Sequence, residues 1–297
     1  MLLLIGYSSE ATFQHFANYV TQQGVDAQVL DLCDLLTCSQ LHLEEEPFDL
    51  IIASEKRIFR LSAFSAIYCR YYYTEIGAPR RNEALSKLIG VLTAYLDRCP
   101  QTVINRPSAG VSNINKFRHG ALLSKSGFTT PTTHILGDHE TALNILAPDG
   151  NWVSKSCSSA KTKVVLFDEY LMNRLPRLKI CPSLFQTRTV GPDVRVHIVG
   201  QSLFPEKIIS QRIDYRFIDA TLAPNQYSEC DIPPIVAEQC LTFCKDEKLL
   251  FSGIDFKVSE VTGEWHVLEA NPMPGYESYD RRQNFRISNS LLQLLLS

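Results

Sequence analysis

Residues 253–275 read Gly-Ile-Asp-Phe-Lys-Val-Ser-Glu-Val-Thr-Gly-Glu-Trp-His-Val-Leu-Glu-Ala-Asn-Pro-Met-Pro-Gly. Two alternating runs flank Val261-Thr262-Gly263, which predicts a β-hairpin. Folding it about Thr262 sets Asp255 opposite Glu269. Glu269 and Asn271 lie two apart and share one face of their strand. Ile254, Phe256, Val258, Leu268 and Ala270 form the other, apolar face, suited to a core. One side of a two-stranded ribbon thus carries two carboxylates and an amide. Directly opposite residues have Cβ atoms roughly 5 Å apart, where like charges repel. A shared proton or a cation would relieve that repulsion. Three hard oxygen donors suit Mg2+ (or Mn2+), which takes few protein ligands and completes its shell with water and phosphate oxygens. A solvated surface hairpin is the other reading, but it leaves the stiff Asn-Pro-x-Pro-Gly segment at 271–275 unexplained.

Outward from this hairpin, the chain divides into three stretches. Residues 1–107 open with a strand at 2–6, a helix at 10–23 ending at Gly24 and a strand at 25–30, a β-α-β start of Rossmann-like type. No G-x-G-x-x-G is present, so a dinucleotide fingerprint is missing. Strands at 49–53 and 66–70, a helix at 82–97 and Val103-Ile104 follow. Residues 108–190 hold a helix at 115–125 with Gly127 as its C-terminal stop. Strands at 132–136, 152–155 and 164–167 come next, with a helix at 139–146, and then a short strand at 184–186. Residues 191–297 carry a second hairpin (193–198 and 202–209), a helix at 233–247, the 249–270 hairpin and a closing helix at 284–296.

The 297 residues suffice for a sizeable core. Hydrophobic content of 45% and charged content of 21% are ordinary for a soluble globular protein. A net charge of −3 gives no reason to expect nucleic acid or an anionic membrane as partner. No apolar run reaches the ~20 residues of a membrane-spanning helix. The first residues, Met-Leu-Leu-Leu-Ile-Gly, lack a basic flank and read as a buried strand rather than a signal peptide. Nine cysteines, irregularly spaced and without a Cys-x-x-Cys pair, point to a reducing cytoplasm rather than to a disulfide framework.

Several cations are placed for anion chemistry. Lys116 starts a helix. Lys155 ends a strand and precedes residues 156–163, a loop of small and basic residues. Such a loop can offer backbone N–H groups and the hydroxyls of Ser158 and Ser159 to phosphates, with lysine as the point charge. Arg195, on the strand that begins at Asp193, and Arg216 are candidate anion clamps, since guanidinium matches phosphate or carboxylate in bidentate fashion. A structural ion pair is the alternative for each. His197 and His266 have no second ligand at metal spacing.

The order of these parts carries a resemblance. Lys116 before a helix and Gly127-x-x-x-Pro131 come first. Then follow Lys155 with its loop, Leu184-Phe185-Gln186, Asp193-Val-Arg195-Val, Gly253-Ile-Asp255-Phe and Leu268-Glu269-Ala-Asn271-Pro-x-Pro-Gly275. Over about residues 105–275 the chain resembles the ATP-grasp superfamily. It is most similar to the branch with ribosomal-protein glutamate ligase, glutathione synthetase-like enzymes and ligases that crosslink microviridin-type peptides. The resemblance implies an α+β ATP-grasp fold. Residues 1–107 would be a Rossmann-like pre-ATP-grasp domain, 108–190 the lid subdomain, and 191–297 the C-terminal subdomain with the metal site. It implies an ADP-forming carbon–nitrogen ligase that phosphorylates a carboxylate with ATP and lets an amine displace the phosphate. Lys116 and Lys155 would contact ATP phosphates, Lys155 also lying near adenine. Gln186, Thr187, Arg188 and Thr189 would read adenine, and Asp193 would hold the ribose. Asp255, Glu269 and Asn271 would ligate magnesium. Arg195 and Arg216 would steady the transferred phosphoryl group.

Two departures stand out. The phosphate loop has no glycine, and Thr187 occupies a position where the family usually has Glu. The expected substrate is an amino acid or a peptide, and a homodimer stays open. Two rivals share the nucleotide site: an ATP-grasp phosphotransferase and a catalytically silent scaffold. Substrate would enter from the first stretch and from the loop after Asn271. Arg70-Tyr71-Tyr72-Tyr73 and residues 276–282 are candidates to face the acceptor.

Overall fold

The computed structural model describes residues 1–38, 40–53, 57–70, 79–147, 149, 151–157, 164–217 and 220–297, the side chains of residues 79–82 excepted. Ser158, Ser159 and Tyr71 to Tyr73 lie outside the described residues. The chain forms two compact units that are discontinuous in sequence. One comprises Met1–Gly110, Glu247–Phe251 and Pro272–Ser297, the other Val111–Asp246 and Ser252–Asn271.

In the first unit, β1 (Leu2–Gly6), helix α1 (Ala11–Gln22) and β2 (Ala27–Asp31) follow the predicted order. Gly24, at φ +67°, takes the left-handed turn that ends the helix. A side sheet comes next: β3 (Gln40–Glu45), β4 (Phe48–Ala53) and β5 (Ile58–Arg60), all antiparallel. Then come β6 (Ala66–Arg70), helix α2 (Pro79–Leu96) and β7 (Thr102–Ile104). Strands β2, β1, β6 and β7, in that order, form a parallel sheet. β1 and β6 are buried along their whole length, which is why Leu2 to Ile5 and Ala66 to Cys69 read as continuous apolar runs rather than alternating ones.

The second unit starts with α3 (Lys116–Lys125), whose first turn is capped by Asn115. Next are β8 (Thr133–Leu136), α4 (His139–Ile145), β9 (Trp152–Ser156), β10 (Val165–Leu166), α5 (Glu169–Met172) and β11 (Ser183–Thr187). These strands make an antiparallel sheet ordered β10-β9-β11-β8. A second antiparallel sheet is built from β12 (Asp193–Val199), β13 (Ser202–Ile209), β14 (Gln226–Glu229), β15 (Phe251–Val258) and β16 (Trp265–Asn271). Its order is β14-β13-β12-β15-β16, so β16 is an edge strand. Helix α6 (Pro234–Asp246) precedes β15. Val196, Ile198, Ile254, Phe256, Cys240 and Phe243 are buried at 1% exposure or less.

The chain then returns to the first unit with α7 (Glu277–Arg282) and α8 (Arg286–Leu296). The single closing helix expected at 284–296 is preceded by this extra turn. Asn284 and Phe285, both at positive φ, break the helical path. Asp280 then caps α8 by accepting from the Ile287 and Ser288 N–H groups. The expectation that 276–282 face an acceptor fails for two of its members. Tyr276 and Asp280 are completely buried, the tyrosine edge-on to Phe251 and the aspartate bonded to His15. Arg70 is also buried, bonded to both Glu10 oxygens and to the Pro274 carbonyl. It fastens the first unit's own loop.

Candidate active site

The hairpin turns at Val261-Thr262-Gly263 as its sequence predicts, its strands near the turn pairing about the Val261–Thr262 bond. Asp255 pairs with Glu269 and Gly253 with Asn271. Between Asp255 and Phe256 the register slips, because Phe256 pairs with Val267. Leu268 is therefore the extra residue of a β-bulge. This overturns its expected place on the core face. Val267 is buried in its stead, and Leu268 turns into the cavities described below.

Arg195 reaches Asp255 Oδ2 at 2.5 Å, and Asn271 Nδ2 donates to the same oxygen at 3.4 Å. Asp255 Oδ1 is buried with no hydrogen-bond partner. Burial raises the Asp255 pKa, Arg195 opposes the rise, and the carboxylate of Glu269 adds to it. An acceptor left without a donor, beside a second carboxylate, is a place a cation would satisfy. Among the described residues no three His, Cys, Asp or Glu side chains gather to hold a metal by themselves. The donor set is two carboxylates and one amide, which suits Mg2+ or Mn2+ with water and phosphate filling the shell. The residues present fit that ion.

Beside this set lies a cavity of about 410 Å³ in the second unit. One wall is Lys155 and the segment from Gln186 to Asp193. The segment from Ile209 to Arg216 forms another, and Asp255, Leu268 and Glu269 line the end. A second cavity of about 330 Å³ shares Lys155, Gln186, Leu268 and Glu269 with the first, and Lys116 lines it. Lys155 Nζ donates to Gln186 Oε1 at 2.8 Å, and Gln186 Nε2 donates to Thr133 Oγ1 at 3.0 Å. Burial pushes the Lys155 pKa down to about 8; Glu269 opposes this, while Lys116 and Arg216 reinforce it. Lys116 is lowered too, by burial first and against the pull of Glu269. Two buried ammonium groups whose pKa values are lowered, beside the Arg216 guanidinium, make a site suited to an anion.

The hinge is tightly held. Thr187 N–H donates to the Thr132 carbonyl at 2.9 Å, and Arg188 N–H to that of Asn151 at 2.7 Å. The Thr187 and Arg188 N–H groups are thereby occupied, and Thr189 of the same segment lines the cavity. Val190 and Pro192 carbonyls accept from Glu260 and Val258. Gly191, at φ +145°, sits so close to the Val258 carbonyl that a Cβ would collide with it. Asp193, the expected ribose ligand, pairs with Lys257 at 2.7 Å. Burial raises its pKa to about 6 even though Lys257 pulls it down. Arg216 forks onto both Asp214 oxygens at 2.8 and 2.7 Å. Those bonds outweigh the burial of Asp214 and hold its carboxyl below the usual range.

The structure brings Lys116, Lys155, Gln186 and Asp193 together with Arg195, Arg216 and the cation set within one unit. Sequence reasoning missed Lys257, Asp214 and Leu268. The first two had a signal, each lying two residues from a chosen residue on the same chain segment. Leu268 had none, because alternation assigns it to the wrong face.

The chain has the ATP-grasp fold, with mixed α/β content. Macrocyclase MdnC bound with precursor peptide MdnA from Microcystis aeruginosa MRC superposes at TM-score 0.81 and 19% identity, over 100% of this chain and 99% of that one. ATP-grasp ligase PsnB, complexed with a phosphomimetic variant of its minimal precursor, Mg and ADP, gives 0.83 at 22% identity, over 99% and 97%. VanG D-Ala:D-Ser ligase from Enterococcus faecalis gives 0.61 at 14% identity, over 99% and 98%. No protein-family model and no curated protein matches the chain.

Proposed function

We propose that the protein is an ATP-dependent, ADP-forming carboxylate–amine ligase that acts on a peptide through an acyl phosphate. The observation that carries this reading is Asp255 paired with Glu269 beside Asn271, with one Asp255 oxygen lacking a donor, at the end of a cavity walled by Lys155 and Arg216. Such a site offers oxygen ligands to a cation and positive charge to phosphates. Peptide as substrate is supported by the fold's likeness to ligases seen with precursor peptides.

In this reading residues 1–107 are a Rossmann-like pre-ATP-grasp domain, 108–190 the lid and 191–297 the part that carries the cation ligands. Lys116 and Lys155, with Ser158 and Ser159, hold the phosphates. Gln186, Thr187, Arg188 and Thr189 border the base. Asp193, tethered by Lys257, takes the ribose. Mg2+ held by Asp255, Glu269 and Asn271 would supply charge neutralisation where phosphoryl oxygens accumulate charge. Arg216, fixed by Asp214, and Arg195, fixed by Asp255, add preorganised positive charge there. Phosphoryl transfer needs alignment and charge compensation more than covalent help from side chains.

The test uses peptides with carboxylate side chains labelled with heavy oxygen, an amine acceptor, ATP and Mg2+. One label is expected in inorganic phosphate, with ADP as the nucleotide product. AMP and pyrophosphate would show adenylation instead. ADP formed with unlabelled phosphate would point to hydrolysis, and label retained in a phosphorylated product to phosphotransfer.

A further inference from the structure

The strand that carries Glu269 and Asn271 is the edge of its sheet, so one row of its backbone groups has no strand to bond. Residues from the neighbourhood of α3 take up that edge. Val267 N–H donates to the Thr129 carbonyl at 2.9 Å. Ala270, the residue between the two cation ligands, donates its N–H to His119 Nε2 at 2.9 Å. Since Nε2 accepts, the neutral ring carries its proton on Nδ1, which faces Ser112 Oγ at 3.1 Å. His119 and Ser112 are 4% and 3% exposed, and the ring lies edge-on to Phe243. On the same segment, Asn113 Nδ2 donates to Asn271 Oδ1 at 3.1 Å. A carbonyl oxygen has two lone pairs, so this bond leaves one for a cation.

We propose that residues 112–119 form a clip in which His119 and Asn113 are positioning residues for the cation ligands. His119 sets the peptide between Glu269 and Asn271, and Asn113 sets the rotation of the Asn271 amide. The same segment carries Lys116, so the clip ties the phosphate-facing cation to the cation-ligating strand. A core histidine needed only for packing would be replaceable by an apolar ring. A positioning histidine is replaceable only by another acceptor. The proposal rests on the reading of Asp255, Glu269 and Asn271 as cation ligands.

The experiment measures Mn2+ binding to the ADP-loaded full chain by the paramagnetic resonance of free Mn2+, with metal-free ADP affinity measured by calorimetry. His119→Phe fills the space without accepting and should weaken Mn2+ binding roughly 10-fold or more, the usual loss on removing a group that orients a metal ligand. His119→Gln, whose Oε1 can accept, should recover most of that loss. Asn113→Ala should also weaken Mn2+ binding. Metal-free ADP affinity should stay at the wild-type value in all three. Wild-type Mn2+ affinity in His119→Phe, or an equal loss in the Phe and Gln variants, would overturn the clip. If His119→Phe fails to fold, the half-exposed Asn113→Ala decides alone, and wild-type Mn2+ affinity there overturns it. Asp255→Asn separates the two readings. If it binds Mn2+ normally, the cation site itself is wrong. If it loses Mn2+ while the clip variants keep it, only the clip is wrong.

Discussion

Asp49 in the first unit and Asp255 in the second are aspartates withdrawn from water on β-strands, and their surroundings treat them in opposite ways. Asp49, at 0% exposure, accepts from the Leu50 and Ser62 N–H groups, the Ser62 hydroxyl and Arg60, each at 2.8 Å. Both of its oxygens are used. Asp255 accepts on Oδ2 only, and its other oxygen faces nothing that donates. The first arrangement is what a fold does with a buried charge when its purpose is fastening. The second leaves a cost unrelieved, with Glu269 directly across the ladder. Satisfaction of the acceptor, rather than burial or residue type, separates the fastening aspartate from the candidate cation ligand. Lys155 repeats the pattern among cations: its ammonium bonds to a neutral amide, Gln186, and burial lowers its pKa despite the pull of Glu269.

Exchanging the outcomes of the two aspartates would break the comparison. Asp255→Asn should lower turnover roughly 100- to 1,000-fold, as removal of a charge-stabilising group at a transition state does, measured as ADP formation. Asp49→Ala should leave Mn2+ and ADP binding of the folded protein unchanged but cost about 3 kcal/mol of stability, because the Leu50 and Ser62 N–H groups lose their acceptor. Denaturant unfolding reads that loss. Unaltered turnover in the first variant, or unaltered stability in the second, would erase the distinction.

A smaller effect sharpens the same contrast within one strand. Val267→Ala should cost about 2 kcal/mol in unfolding experiments, since a fully buried side chain is truncated. Its neighbour Leu268, turned into the cavity by the bulge, should cost less than about 1 kcal/mol when changed to Ala. ADP affinity, read by calorimetry, should fall in the Leu268 variant and hold in the Val267 variant. The reverse result would mean that the bulge does not re-aim Leu268.

The smallest effect concerns Lys155. Its pKa falls from the ordinary 10.5 to about 8. Between those values the unfolded chain binds the proton and the folded chain does not, so this group's contribution to stability rises with pH through that window. At pH 7 its charge opposes folding. Lys155→Met should therefore be more stable at pH 7, by the order of 1 kcal/mol after allowing for solvent screening. The advantage should shrink as pH rises from about 8 to 10.5. ATP affinity should drop in the same variant, and wild-type affinity should weaken as the pH passes about 8. Thermal melts across pH, with ATP titrations alongside, check both signs.

Much of the site was legible in the chain because it depends on local periodicity. Val261-Thr262-Gly263 marks a turn, alternation on either side sets a two-residue repeat, and together they dictate that Asp255 meets Glu269. Gly24 and Gly127 end their helices where a residue without a Cβ can take positive φ. Lys116, Lys155, Gln186 and Asp193 were found by their order along the chain, and each comes to a cavity wall.

What the sequence did not reveal depends on which distant segments become neighbours. The bulge that turns Leu268 is set by how β16 must match β15 under a shared core, not by the strand's own alternation. Lys257 meets Asp193 because β12 and β15 are adjacent in their sheet although the two residues are 64 apart in the chain, and strand adjacency is a long-range choice. Tyr276 and Asp280 read as exposed loop chemistry but are buried by α1 and α8, whose packing no local pattern records. The empty acceptor on Asp255 and the His119 bond to Ala270 have the same origin. Periodicity determines which residues share a face. Only the assembled layers decide what that face meets, and the burial and hydrogen-bond partners that follow from that meeting make a carboxylate a fastener or a ligand.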